Sequence, residues 1–301
     1  MDKTSTLTGE VKILYEKVFL KRAEYELVLK EGAQMGTQGQ NDGKTIWFNR
    51  YTPQDIETTP LTEGENPDVC SITAENVSVV LAEYGRTFKI SKFLTLTSVD
   101  KNNKNKISLL GQHMGETLNR LVRNELENGT ARIANGVAAS AVAASDTLDA
   151  DEVRDIVEGL EDNKTIAYPD GYYMGKVVTK SKTSLVKDNT WINAKTYSDV
   201  KDLYRGEMGE LYQVRFLLNK DGKTSTGTGA ASTVTLYHNY FHGAEAIGCY
   251  DLSGDVPQLY IVPNKPDSGN PAGRFSLTSW AGSYASKILN PEWVTVSKAA
   301  G

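Results

Sequence analysis

Three histidines, two cysteines and two Gly-Lys-Thr triplets are the residues whose types and spacing could carry chemistry. His238 and His242, with Glu245 close behind, would chelate a metal if they shared a helix face. Their setting, Leu236-Tyr237-His238-Asn239-Tyr240-Phe241, reads as a strand, where residues four apart lie about 13 Å from each other. That is too far for one ion, so both read as partly exposed strand histidines. His113 stands beside the apolar Met114 and reads as a polar edge residue of a helix rather than a catalytic base. Gly43-Lys44-Thr45 and Gly222-Lys223-Thr224 resemble the end of a phosphate-binding loop. Such a loop needs another glycine five positions earlier, so that backbone amides can wrap the phosphates; Gln38 and Leu217 stand there instead.

Cys70 and Cys249 are too few for a disulfide framework and fit a reducing compartment. The chain has no serine nucleophile elbow, no CxxC and no HExxH. Its carboxylates mark no acid/base pair. The expectation is a protein with no catalytic residue, no cofactor and no metal ligand: not an enzyme. The most basic short patch, Lys101-Asn102-Asn103-Lys104-Asn105-Lys106, reads as a solvated helix start before it reads as a nucleic-acid contact. The formal charge of −5 argues against a general nucleic-acid binder, which normally carries a basic excess.

The elements around these residues belong to an ordered globular chain of 301 residues, 24% charged and 39% hydrophobic. The N-terminus lacks the apolar core of a signal peptide and no apolar run reaches the ~18 residues of a membrane span. Cytoplasmic synthesis is expected, and the sequons at Asn76 and Asn128 read as chance matches. Val11, Leu14, Tyr15, Val18 and Phe19 recur at helical spacing, with Thr8 as N-cap and Gly32 as stop. Residues 33–43 read as an exposed link. Strands are expected at 45–50 and from Val77 to Ile90, with Gly85 bending or bulging the second. Between them Tyr51 to Asp68 carries three prolines and several acids. Two strands joined by a long polar excursion cannot bury both faces alone, so this arm needs a neighbour to lie on.

A stripe of Ile107, Leu110, Met114, Leu118, Leu121 and Val122 predicts a helix from about Val99 to Asn128, capped by Gly129. Residues 130–145, mostly Ala, Gly and Ser, read as a flexible connection. Asp149 with Glu152 forms an acidic capping box, and Leu148 with Val153 a hydrophobic staple, opening the next helix. Short elements follow: strands near 176–179, 212–218, 234–240, 258–262, 276–288 and 293–296, a short helix near 184–188, and a Gly/Thr/Ser loop at 220–233. The class is mixed α+β without regular βαβ alternation.

Several stretches, in order, resemble the tailed-bacteriophage major capsid proteins, in the branch related to that of a short-tailed coliphage. They are Glu10-Val11 through Tyr15 to Arg22-Ala23; Gly43-Lys44-Thr45-Ile46; Thr58-Thr59-Pro60-Leu61-Thr62-Glu63-Gly64; Tyr84-Gly85-Arg86; Gly115-Glu116-Thr117-Leu118; Gly206-Glu207-Met208-Gly209 with Val214-Arg215-Phe216; and Ala285-Ser286-Lys287-Ile288-Leu289-Asn290. The resemblance implies an α+β tailed-phage major capsid fold: an N-terminal arm (1–43), an extended β-hairpin loop (44–92), a peripheral domain (93–147 and 275–301) with a spine helix at 99–128, and an axial domain (148–274).

The function it implies is mechanical: hexamers and pentamers closing into an icosahedral shell around double-stranded DNA, in the virion capsid, assembled in the host bacterial cytoplasm. Implied partners are copies of the chain itself, scaffolding, portal and cement proteins, and packaged DNA held by non-specific contact; no membrane is involved. Candidate subunit-interface residues are Pro60, Glu63 and Glu65 at the tip of the excursion, with Arg22 and Arg86 as bidentate partners for carboxylates. The alternatives are the shell of a bacterial protein nanocompartment and, remotely, a small α+β hydrolase.

Overall fold

A computed structural model of the chain describes residues 4–51, 74–97, 103–138, 141–191, 207–228, 233–264 and 269–301. It also describes positions 56, 58, 60, 63–64, 66, 71–72 and 266. Two helices set its frame. Helix α1 (Thr4–Glu26) lies along α3 (Asn103–Leu126), the spine. The contact is unusually close because α3 carries Gly111 and Gly115, one turn apart. A methyl group built on either would sit 2.4 Å from the Phe19 carbonyl oxygen or 2.6 Å from that of Ala23. Small residues four apart on one face let two backbones approach where larger side chains would hold them apart. Helix α1 starts before the expected cap at Thr8 and ends six residues before Gly32. That glycine serves the following turn instead, with a φ of 75°.

The spine rests on a five-stranded sheet whose axis is the long strand β13 (Phe275–Ile288). One edge of β13 pairs with β4 (Ala82–Ser91) over ten residues. The other takes β11 (Ile247–Leu252) and then β12 (Gln258–Val262), and β1 (Gln34–Gln38) adds in parallel to β11. The stripe expected on the spine is its core face: Ile107, Leu110, Met114, Leu118 and Val122 are buried with Phe19, Trp280 and Tyr284. Residues 34–38, read as a link, are thus a strand. Gly85 neither bends nor bulges β4, whose register runs through it unbroken. Its role is clearance, since a Cβ there would stand 2.8 Å from the Trp280 carbonyl.

The second body is a seven-stranded mixed sheet ordered β5 (Thr130–Ile133), β14 (Val294–Ala300), β10 (Thr233–His242), β6 (Tyr173–Val178), β8 (Val214–Asn219), β7 (Glu207–Leu211). The seventh strand, β9 (Thr224–Thr228), pairs with β10. Helices α4 (Ala150–Asp162) and α5 (Thr179–Lys187) cover it over a core that includes Val153, Ile156, Leu160, Val177, Leu185, Trp191 and Phe216. Asp149 caps α4 as expected, accepting the Glu152 amide at 2.9 Å. The reciprocal half of the box does not form. Glu152 turns into the interior, to Arg132 (3.2 Å) and the Asn135 amide (2.9 Å). Strand pairing crosses the divisions expected at 92/93 and 274/275, because β4 and β13 share one ladder and β14 belongs with β10.

The two bodies meet at the turn after α1, which buried polar groups hold. Asn119 accepts the Leu29 amide (2.8 Å), and Lys176 donates to the Leu29 carbonyl (2.6 Å). Tyr168 donates to the Gly32 carbonyl. Burial brings the Lys176 ammonium down to about 7, against smaller opposing contributions from Cys249 and Glu31.

Candidate subunit interface

The feature that leaves the body is a two-stranded hairpin, β2 (Thr45–Tyr51) with β3 (Ala74–Val80), paired Thr45↔Val80 through Tyr51↔Ala74. Strand β3 continues into β4 with only Leu81 between them, so the hairpin is an outgrowth of the ladder on β13. The Lys44 carbonyl accepts the Leu81 amide at 2.9 Å and closes the base. The period-2 pattern then sorts its residues. Ile46, Phe48 and Val79 face a small cluster with Tyr250, Leu252 and Ala285. Farther out on that face Arg50 pairs with Glu75 and donates to Asn290. The opposite face meets solvent, with Trp47 65% and Val80 54% exposed. An isolated hairpin is marginal in water, and a bare tryptophan and valine are an apolar surface that no described residue covers.

The far end of β4 carries a second such surface. Lys92, whose amide bonds the Arg274 carbonyl (2.7 Å), opens the short helix α2 (Lys92–Thr97). Its Phe93 and Leu96 are about three-quarters exposed. The ten residues of β4 hold the two patches about 30 Å apart. Two unlike sticky patches at opposite ends of a rigid strand are what a head-to-tail interface requires, because such contacts join different surfaces of successive copies.

The residues expected at an interface fall in two groups. Pro60 and Glu63 are exposed within the excursion from the hairpin; Glu65 lies outside the described residues. That excursion is strongly acidic, with Asp55, Glu57, Glu63, Glu65 and Asp68 and no Lys or Arg between 51 and 68. The arginines sit on the body. Arg22 donates to Gln112 (2.8 Å) and pairs with Glu26 (3.2 Å), tying α1 to the spine. Arg86 is exposed on β4. Burial lowers the pKa of the nearby His113, and the Arg86 charge lowers it further, against Glu116. Nothing brings the two arginines together with Pro60 and Glu63. Sequence reasoning missed Trp47, Phe93 and Leu96; their signal is a large apolar side chain on the polar face of a strand or in a six-residue helix.

The two strand histidines are more buried than expected. His238 and His242 are 2% and 0% exposed, and His113 accepts from Trp280 Nε1 at 3.2 Å. His238 is enclosed between Glu127, just past the spine, and Ser225, and His242 lies against Tyr168 and the Gly243 carbonyl, so both strand histidines end up inside. Among the described residues no group of three His, Cys, Asp or Glu side chains is arranged to hold a metal ion, and no helix is long and apolar enough to cross a membrane.

Compared with solved structures, the chain matches the capsid of Ralstonia phage GP4 with a TM-score of 0.69, at 11% identity over 90% of each chain. It matches the capsid of the cyanophage P-SCSP1u at 0.66 and 12% identity, over 91% of this chain and 88% of that one. A weaker match is the virus-like particle from Pyrococcus furiosus: 0.54 and 9% identity, over 94% and 97%. No protein-family model and no curated protein matches it. The fold is therefore that of tailed-phage capsid proteins across most of the chain.

Proposed function

We propose that the chain is a structural major capsid protein. In this reading copies join as hexamers and pentamers that close into an icosahedral shell enclosing double-stranded DNA. The observation that carries the reading is the agreement in fold with phage capsids over about 90% of the chain together with a hairpin whose Trp47 face no described residue covers. The hairpin and excursion (44–81) form the extended loop. The spine, α1 and the five-stranded sheet form the peripheral body, and the seven-stranded sheet with α4 and α5 forms the axial body. The shell role itself is mechanical. It belongs to the virion capsid, with assembly in the host bacterial cytoplasm. Pro60, Glu63 and Glu65 reach a neighbouring subunit, where Arg22 and Arg86 offer cationic partners. Scaffolding, portal and cement proteins are further partners, and DNA is held without specific contacts.

The match to a virus-like particle favours a second reading, a nanocompartment shell enclosing protein cargo. Electron microscopy of the purified chain, expressed alone or with its phage scaffolding protein, tests both. Closed particles tens of nanometres across support a shell. Particles that take up DNA support the capsid, and particles that fill only with protein support the compartment. A small soluble oligomer without rings would contradict both.

A further inference from the structure

On the face of β10 turned toward the spine, three side chains stand in line. Glu127, just past the end of α3, accepts from His238 Nδ1 at 2.8 Å; His238 Nε2 lies 2.7 Å from the Ser225 hydroxyl. Glu127 also accepts from the Tyr240 hydroxyl (2.6 Å) and Lys223 Nζ (3.2 Å). Burial pushes its carboxyl up, but the hydrogen bonds from His238, Tyr240 and Lys223 outweigh that and hold it at about 2. The carboxylate is thus ionised and only accepts, so His238 carries its proton on Nδ1. With Nδ1 donating to the carboxylate, Nε2 of the unprotonated ring is the atom placed to accept the Ser225 proton. This is the order of roles in a serine–histidine–carboxylate triad, which is recognised by geometry and not by position in the chain.

The surroundings fit a reactive hydroxyl. His238 is buried and its orientation is fixed at both ring nitrogens, so little freedom remains to be lost on reaction. Ser225 is half-buried on β9, with Thr224 and Thr226 exposed on either side. Its ladder partner is Leu236, beside which Val142 forms an apolar wall. Ser225 keeps part of its surface in solvent, and a small ester approaches the hydroxyl from there.

We propose that Ser225 is an activated nucleophile for small carboxylic esters, with His238 as general base and Glu127 as its positioning residue. The Ser225 oxygen bonds to the acyl carbon and its proton passes to His238 Nε2. The ester C–O bond breaks and the leaving alkoxide takes that proton to depart as the alcohol. Water repeats the sequence on the acyl-serine, releasing the carboxylic acid and restoring the hydroxyl. This activity is separate from the shell role, and either can fail without the other.

The full chain, unassembled and as particles, is incubated with a fluorophosphonate probe and the adduct is mapped by peptide mass spectrometry. The serine oxygen then bonds to phosphorus, fluoride leaves and His238 takes the proton. The expected result is an adduct on Ser225, absent in Ser225→Ala and formed about a hundredfold more slowly in His238→Gln. Glu127→Gln slows it as well, and Glu127→Asp restores most of the rate, which a merely structural carboxylate would not do. Should His238→Gln fail to fold, Ser225→Cys gives an independent measure. The thiol of that variant is expected to react with iodoacetamide at pH 7 at least roughly tenfold faster than cysteine in a short peptide, because His238 withdraws its proton. No adduct on Ser225, an undiminished rate in His238→Gln, or a Ser225→Cys thiol no faster than the peptide would overturn the proposal.

Discussion

The spine pair and the hairpin differ in what completes them. Helices α1 and α3 lie so close that a single methyl on Gly111 or Gly115 has no room, and their apolar stripe is buried within the same chain. The hairpin grows from the same sheet, yet only one of its faces is packed, and Trp47 and Val80 on the other face water. One region is finished by folding. The other is half-finished, and an unfinished apolar surface on a projecting element is where assembly gains its buried area. On the proposed reading, a chain that exists first as a subunit and then as part of a shell needs both kinds of region.

The difference can be broken from either side. The largest expected effect is on assembly: Trp47→Glu abolishes particle formation by light scattering while the subunit's thermal midpoint stays within a few degrees of the parent. The charge falls on a surface already exposed, so it costs folding little. A lower midpoint together with intact particles would reverse the roles assigned here to the two regions. In the spine the outcome inverts. Gly115→Leu costs about 3 kcal/mol in denaturant unfolding, because overpacking drives α1 off α3, and the parent surfaces are otherwise unchanged.

The junction between the bodies makes a subtler contrast. Lys176 is buried with its pKa depressed to about 7, while the unfolded side chain titrates near 10.5. Between pH 7 and 8.5 the unfolded chain therefore holds more protons than the folded one. Stability from this group rises with pH across that window, by up to about 1.4 kcal/mol per pH unit, and is lowest below pH 7. Urea unfolding at pH 6.5 and 8.5 reads this directly, and Lys176→Met flattens the dependence. The smallest effect belongs to the β7–β8 hairpin, whose two-residue turn puts Tyr212 and Gln213 at φ of 47° and 61°. Gln213→Gly relieves one of these and raises stability by roughly 0.5 kcal/mol, without changing assembly.

How much of this is legible in the sequence follows from what each element needs. The spine announces itself through Ile107, Leu110, Met114, Leu118 and Val122 because it buries one stripe, and α4 through Asp149 and Leu148. Strands β12 and β13 alternate or run apolar and are readable within a residue or two. The strands that escape the pattern, β1, β5, β7 and β9, lie at the margins of their sheets, and β9 reads Thr-Ser-Thr-Gly-Thr. A marginal strand is held by backbone hydrogen bonds on one side and needs no apolar pattern. The exception is β11, central and buried, whose glycine and aspartate break the alternation. The close approach of α1 to α3 is visible only as two glycines four apart inside a helix. The proposed interface is legible as an arm in want of a neighbour, while its exposed anchors depend on which face of the hairpin the core takes up.

The central claim is that the hairpin is completed by another copy of the chain. A cryo-electron microscopy reconstruction of assembled particles tests it most directly. The account predicts the 45–80 hairpin extended across an adjacent subunit, with Trp47 buried in the contact. A hairpin folded back on its own subunit, or standing in solvent with Trp47 uncovered, would contradict it.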